Sequence, residues 1–325
     1  MSHSVVYPAY TNQSNRLSGR IRTWAPRLCV AASMLLAATT SFLSAQATYA
    51  EEPLSVITTL PVLKDLVQQV GHEHVRVVSL LSGLESEHSY SPKPSDLVAL
   101  RKAQLLVEIG AGLEVWVSGL VKSAGNPHLH VVTVSRDIPL IEESGSHEAE
   151  AHHGHVRGNP HVWLDPDNVA MMVTHIATAL GQVDPTHADR YTIYAADYRR
   201  TLTATTEELR ARLAQFTDRR IVTHHPAWPY FARRFQLEIV ADIQAQSGSE
   251  PSPRHLRQLI ERIRRDKIKV VVSEPQLNQK LARLLADETG ARLVVLTPLT
   301  GGLPGTETYL DMLRYNVLQL VQAFG

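Results

Sequence analysis

Residues 159–166 read N-P-H-V-W-L-D-P. The stretch sets one histidine, His161, two residues before Trp163, and closes on an aspartate-proline pair that starts a helix. Short apolar runs alternating with helical patterns precede it. A long helical stretch and a second series of such runs follow it. The octapeptide is therefore a joint between two similar halves. Two further histidines occupy equally distinctive loops: His88 in S-E-H-S-Y-S-P-K-P-S-D (86–96) and His225 in T-H-H-P-A-W-P-Y-F (223–231). We read the three as meeting around one metal ion, zinc, in a cleft between two lobes.

The first half predicts strands at Leu54–Thr59, Val75–Leu81, Leu105–Ile109 and His130–Val134. Helices are expected at Val62–Val70, from a Ser95/Asp96 cap to about Ala103, and at Leu113–Ser123. The second half predicts strands at Arg220–Thr223, Leu237–Ala241, Ile268–Ser273 and Arg292–Leu296. Its helices are expected at Ala227–Phe235, Pro253–Arg265, Leu277–Glu288 and Thr306–Phe324, with a polar loop at Gln246–Pro253. Between the halves, one helix spans Asp167–Leu180, and another runs without a breaker from Pro185 to about Phe216, roughly 45 Å long. Strands alternating with helices imply parallel sheets. The fold class is α/β: two lobes, each a four-stranded parallel sheet with flanking helices, joined by a long rigid helix.

The first fifty residues stand apart. Arg16, Arg20, Arg22 and Arg27 are their only charged side chains, and they precede an apolar run, Leu28–Ala38, and a small-residue stretch, Ser41–Ala50. That order is expected of a cleavable secretory leader; the apolar run is too short to span a membrane. The chain thus divides into a leader (1–50), a first lobe (51–166), a helical linker (167–217) and a second lobe (218–325). Four of the 32 basic residues and none of the 32 acidic ones fall in the leader, which leaves 28 against 32 and a net charge of −4. Such a balance gives no reason to expect nucleic acid. The single cysteine, Cys29, leaves with the leader, so a metal site must draw on His, Asp or Glu.

In open parallel sheets, ligands bind beyond the carboxyl ends of the strands. His88, His225, Glu274 and Thr297 all follow predicted strands, and His161 precedes the connection between lobes. Three imidazoles suit Zn²⁺, with a fourth ligand completing a tetrahedron, whereas manganese prefers more carboxylate oxygen. The fourth position is open among Glu87, Glu274 and water. His224 rivals His225, but neighbours at a strand end point in opposite directions, so only one faces the cleft. His72, His74, His128 and His130 read as surface residues. The loop Ile141–Gly158 carries His147, His152, His153 and His155 among Glu, Ala and Gly, a composition open to weak metal capture. No H-E-x-x-H occurs.

The chain resembles the cluster A-I substrate-binding proteins of bacterial metal-uptake ABC transporters, in their zinc-uptake branch. The resemblance runs from about Ser55 to Ala323. It is carried by E-H-S-Y-S-P-K-P-S-D-L (87–97), G-L-E-V-W (112–116), N-P-H-V-W-L-D-P (159–166), H-P-A-W-P-Y-F (225–231), S-E-P-Q (273–276) and Y-L-D-M-L-R-Y-N (309–316). It implies a two-lobed fold and metal ligands at His88, His161 and His225, with His225 and not His224 matching the motif. The acidic histidine loop is similar to that of zinc-specific members. Many members carry an aspartate ligand after the last strand; here Thr297 stands there, a poor ligand. Some zinc members carry a glutamate just before the first histidine, as Glu87 does here. The resemblance implies a monomeric periplasmic protein that captures Zn²⁺ as transported ligand and docks on a membrane permease, without catalysis. Affinity is expected to fall as pH drops through the histidine range. The rivals are a manganese or iron carrier of the same family, a zinc hydrolase and an exported adhesin.

Overall fold

The computed structural model describes residues 52–142, 158–244 and 250–325. The expected leader, the His147–His155 loop and the first part of the Gln246–Pro253 loop lie outside the described residues.

The first half contains β1 (Leu54–Thr58), α1 (Pro61–Gly71), β2 (Val75–Ser79), α2 (Pro94–Lys102), β3 (Leu105–Glu108), α3 (Val117–Ala124) and β4 (His130–Thr133). After the joint come α4 (Pro166–Val183) and α5 (Ala188–Ala214). The second half contains β5 (Arg220–Thr223), α6 (Pro229–Phe235), β6 (Glu238–Asp242), α7 (Pro253–Asp266), β7 (Val270–Ser273), α8 (Lys280–Thr289), β8 (Arg292–Val295) and α9 (Tyr309–Phe324). Each half forms one four-stranded sheet, in the orders β2-β1-β3-β4 and β6-β5-β7-β8, and every pairing is parallel. The two orders are equivalent, and in each sheet the sequence order of the strands reverses between the two central strands. Loops there open onto a crevice at the carboxyl edge.

The central strands are buried on both faces and read as near-continuous apolar runs, as in β7, V-V-V-S, with all four residues buried, whereas the edge strands β2, β4, β6 and β8 are partly exposed. The long helix is real, with a boundary shift. Pro185–His187 make a single 3-10 turn, and the α-helix proper covers 27 residues, about 40 Å. It buries Tyr191, Ala195, Tyr198, Leu202, Thr205, Leu209 and Leu213, a stripe at three- and four-residue steps. Among the described residues no helix is long and apolar enough to cross a membrane.

Several predicted starts move, each for a local reason. Helix α2 begins at Pro94, and Asp96 reaches back to accept the Lys93 amide at 2.6 Å, so Ser95 is not its cap. The helix expected from Leu113 begins only at Val117. Gly110, Ala111 and Gly112 all adopt positive φ, and Glu114 folds back onto the Ile109 and Gly110 amides at 2.9 and 2.8 Å. Helix α9 starts at Tyr309, behind a Thr308 hydroxyl that accepts from the Asp311 amide at 3.2 Å.

One apolar core runs from Leu54 and Val56 through Trp163, Trp228 and Tyr309 to Val270 and Leu320, so it does not stop at the lobe boundary. A smaller cluster packs α7 and α8 on the second sheet through Val222, Leu259, Ile263, Val271 and Leu285. The joint is fastened to both sides. The Trp163 indole donates to the Pro298 carbonyl at 2.7 Å, and the Tyr309 hydroxyl donates to the Trp163 carbonyl at 2.9 Å. Buried Asp165 caps α4, accepting from the Asp167 amide at 3.0 Å, and takes Arg233 and Arg234 of α6 at 3.1 and 2.7 Å. This continuity argues for local loop movement over a wide hinge.

Candidate metal centre

Glu87, His88, His161 and His225 converge, each offering one ligand atom, and these atoms lie within 4.8 Å of one another. Among the described residues this is the one such group of three or more His, Cys, Asp or Glu. Their separation in sequence is bridged by topology. The loop after edge strand β2 brings Glu87 and His88, the joint brings His161, and the end of central strand β5 brings His225.

His161 is the most buried ligand candidate, at 1% exposure. The Asn159 side-chain oxygen accepts from both its main-chain amide at 3.0 Å and its Nδ1 at 2.9 Å. An amide oxygen only accepts, so Nδ1 carries the proton and Nε2 presents the lone pair. The same Asn159 donates from Nδ2 to the Pro226 carbonyl at 2.6 Å, tying the His161 loop to the residue after His225. The Tyr230 hydroxyl holds the Asn159 carbonyl at 2.8 Å.

His225 is oriented by the same logic with a charged partner. Its Nδ1 donates to Glu274 Oε1 at 2.8 Å, and the Trp228 indole donates to the same oxygen at 2.9 Å. Glu274 can do this because β5 and β7 are adjacent parallel strands, whose ends carry His225 and Glu274 side by side. Glu274 therefore supports a ligand candidate and is not one itself. His224 turns the other way, with its Nδ1 at 3.0 Å from the Ser273 hydroxyl, as alternation at a strand end requires. Thr297 is buried, but its hydroxyl donates to the Leu299 carbonyl at 2.7 Å and accepts from the Leu299 amide at 3.2 Å. It is absent from the convergent group.

Across the centre, His88 Nε2 lies 3.1 Å from His161 Nε2. Two nitrogens bound to one tetrahedral zinc stand about 3.3 Å apart. Glu87 Oε1 lies 3.5 Å from His161 Nε2 and 4.0 Å from His88 Nε2. Glu87 is 3% exposed, and this oxygen finds no hydrogen-bond partner among the described residues. A buried carboxylate oxygen without a partner is costly. A cation placed among the three imidazoles removes that cost.

The electrostatics fit. Burial, with the neighbouring His161 next, pushes His88 down to about 4. Burial, with His225 next, holds His161 well below the ordinary histidine value. Burial also pulls His225 down, but the charge and hydrogen bond of Glu274 outweigh it and hold His225 up at about 8. Two of the three imidazoles are therefore neutral donors at neutral pH, the form a metal needs.

The family model for ZnuA, the periplasmic component A of the zinc-uptake complex, matches residues 56–323. The chain belongs to this family. Among its relatives, the iron-binding protein YfeA of Yersinia pestis is 28% identical over 92% of this chain and 97% of its own length. The high-affinity zinc uptake system protein ZnuA of Brucella abortus is 28% identical over 82% and 90%. The structure of the laminin-binding protein Lmb of Streptococcus agalactiae, described as bifunctional with adhesin and metal-transporting activity, superposes with a TM-score of 0.74. It is 29% identical and covers 84% of this chain and all of that one. Members of the ZnuA family are metal-binding components of ABC uptake systems and not enzymes, which removes the hydrolase reading.

Sequence reasoning found all four converging residues. It missed Asn159, whose signal was an Asx residue two positions before the histidine, and it left Glu274 as one of three possible fourth ligands.

Proposed function

We propose that the chain captures Zn²⁺ at Glu87, His88, His161 and His225 and delivers it to the membrane permease of an ABC uptake system. The observation that carries this reading is the orphaned Glu87 oxygen, buried beside two Nε2 atoms whose Nε2–Nε2 spacing suits a shared tetrahedral ion. Three imidazoles and one carboxylate favour zinc over manganese, which prefers a more oxygen-rich set. Thr297 strengthens that preference by holding a neutral hydroxyl where many members carry an acid. The lobes flank the centre as first lobe (51–166) and second lobe (218–325), with residues 167–217 between them. Export through a cleavable leader over residues 1–50 brings the protein to the periplasm.

YfeA is named for iron, so iron and manganese are the competitors that matter. Competition titration of the zinc-free protein against Zn²⁺, Mn²⁺ and Fe²⁺ tests the reading. One tight zinc site, at least about 100-fold preferred over Mn²⁺ and Fe²⁺, is expected from the nitrogen-rich donor set. Equal or tighter Mn²⁺ or Fe²⁺ binding would overturn the zinc assignment.

A further inference from the structure

The tetrapeptide Ser273–Gln276, at the end of β7, touches both sides of the metal centre. Ser273 holds His224 and Glu274 holds His225. Two residues on, the Gln276 side chain crosses to the first lobe and donates from Nε2 to the Gly83 carbonyl at 2.6 Å. A carbonyl only accepts, so the amide orientation is fixed. Gln276 Oε1 is buried and has no partner among the described residues. The Gly83 contact is thus the polar bond that holds this side chain.

Gly83 begins the loop that supplies Glu87 and His88. Its φ of +99° suits glycine, and a Cβ there would collide with the Thr300 carbonyl. On the facing side, a Cβ on Gly302 would come within 3.1 Å of both the Gly83 carbonyl and the Gln276 amide nitrogen. Two glycines and one amide therefore make a close junction between lobes. At its far end the same loop is held within the first lobe, by Tyr90 donating to Asp96 at 2.7 Å. Glu87 and His88 sit between these fastenings, and no partner of the His88 Nδ1 is found among the described residues.

We propose that Gln276 is a positioning residue that latches the Glu87–His88 loop across the lobes and so sets the rate at which metal leaves. This rests on the reading of Glu87, His88, His161 and His225 as a zinc site. Among the described residues Gln276 makes no hydrogen bond to any of the four donors. It acts through Gly83, by keeping the loop that bears two of them against the second lobe. Losing one hydrogen bond in this role speeds release without changing how many ions bind or how the ion first meets His161 and His225.

The test is stopped-flow transfer of zinc from the loaded mature protein to a fluorescent chelator, with capture rate and zinc-free melting temperature measured alongside. Gln276→Met keeps the side chain's length and removes the donor. It is expected to speed release roughly two- to tenfold, the range of a single net hydrogen bond, with the capture rate unchanged and the zinc-free melting temperature lowered by no more than that one bond accounts for. Gly83→Ala attacks the same junction from the other side and is expected to do the same or more. An unchanged release rate in Gln276→Met would overturn the latch. Faster release accompanied by slower capture would also overturn it, because a latch acts on the loaded protein and leaves capture unchanged. His161→Ala serves as the control for the site: wild-type zinc retention there would overturn the site itself, whatever Gln276→Met does.

Discussion

His161 and His225 are set on buried loops bonded to each other through Asn159 and backed by an amide and a carboxylate, whereas Glu87 and His88 lie on a loop whose side-chain bonds to the rest of the fold, among the described residues, are near its ends. The two imidazoles of the first pair are 1% and 4% exposed, while the His88 side chain is 28% exposed. One half of the centre is preorganised, and the other pairs a buried carboxylate, Glu87, with a part-exposed imidazole, His88, on one bridging loop. This division suits a carrier, which must hold an ion tightly and yet surrender it. Tight capture draws on ligands that lose little freedom on binding, and exchange draws on a short loop that can lift without disturbing the shared core.

Removing a preorganised ligand strikes that division hardest. His161→Ala is expected to weaken zinc binding more than about 100-fold, beyond the usual cost of losing an outer partner, while leaving the protein folded. A competition titration that finds less than about tenfold loss would break the comparison. Next comes Glu274→Ala, which frees the His225 ring and strands the Trp228 indole. A loss of about 10- to 100-fold in zinc affinity is expected, read in the same titration. Asn159→Ala removes a neutral acceptor in place of a charged one, and it is expected near the lower end, about tenfold. If Asn159→Ala costs more than Glu274→Ala, the ranking of the two supports is wrong.

The largest effect expected away from the ions is a pH dependence at Glu114. This carboxyl is fully buried, and burial pushes it up to about 7 against three donors: the Thr59 hydroxyl and the Ile109 and Gly110 amides. A carboxyl raised in the fold binds its proton more tightly there than in the unfolded chain. Its favourable contribution is complete below the unfolded value near 4.5 and is lost as pH climbs through about 7. Urea unfolding of the zinc-free protein is therefore expected to show wild type losing on the order of 2–3 kcal/mol relative to Glu114→Gln between pH 5 and 8. A constant difference over that range would show that Glu114 keeps one protonation state. Smallest of all, Tyr309→Phe deletes the bond to the Trp163 carbonyl and is expected to cost about 1 kcal/mol with zinc affinity unchanged, which would separate the fastening of the joint from the centre it carries.

Much of this was legible in the residues. Apolar runs of four to seven residues with intervening helical patterns gave two parallel sheets. Two histidines in loops after strands and a third before the connection between lobes marked a common crevice; alternation allowed only one of His224 and His225 to face it, and the resemblance to the family motif picked His225. The rest depended on pairs that periodicity does not encode. Glu274 becomes a support for His225 because β5 and β7 are neighbours, a fact of strand order. Glu114 lies in a stretch of helical pattern, but positive φ at Gly110, Ala111 and Gly112 turns it back onto the preceding strand end. Gln276 meets Gly83 across 193 residues of sequence, and only the assembled core brings them together. Local chemistry is written locally; support across strands and lobes is written in topology.

The central claim is that one zinc is held by Glu87, His88, His161 and His225 and not by the histidines of the 147–155 segment. Native mass spectrometry of residues 51–325 after zinc loading and buffer exchange tests it directly, on a variant lacking residues 147–155 and on one carrying alanine at His88, His161 and His225. The account predicts one retained zinc in the first and no tightly retained zinc in the second. A zinc lost from the first and kept by the second would contradict it.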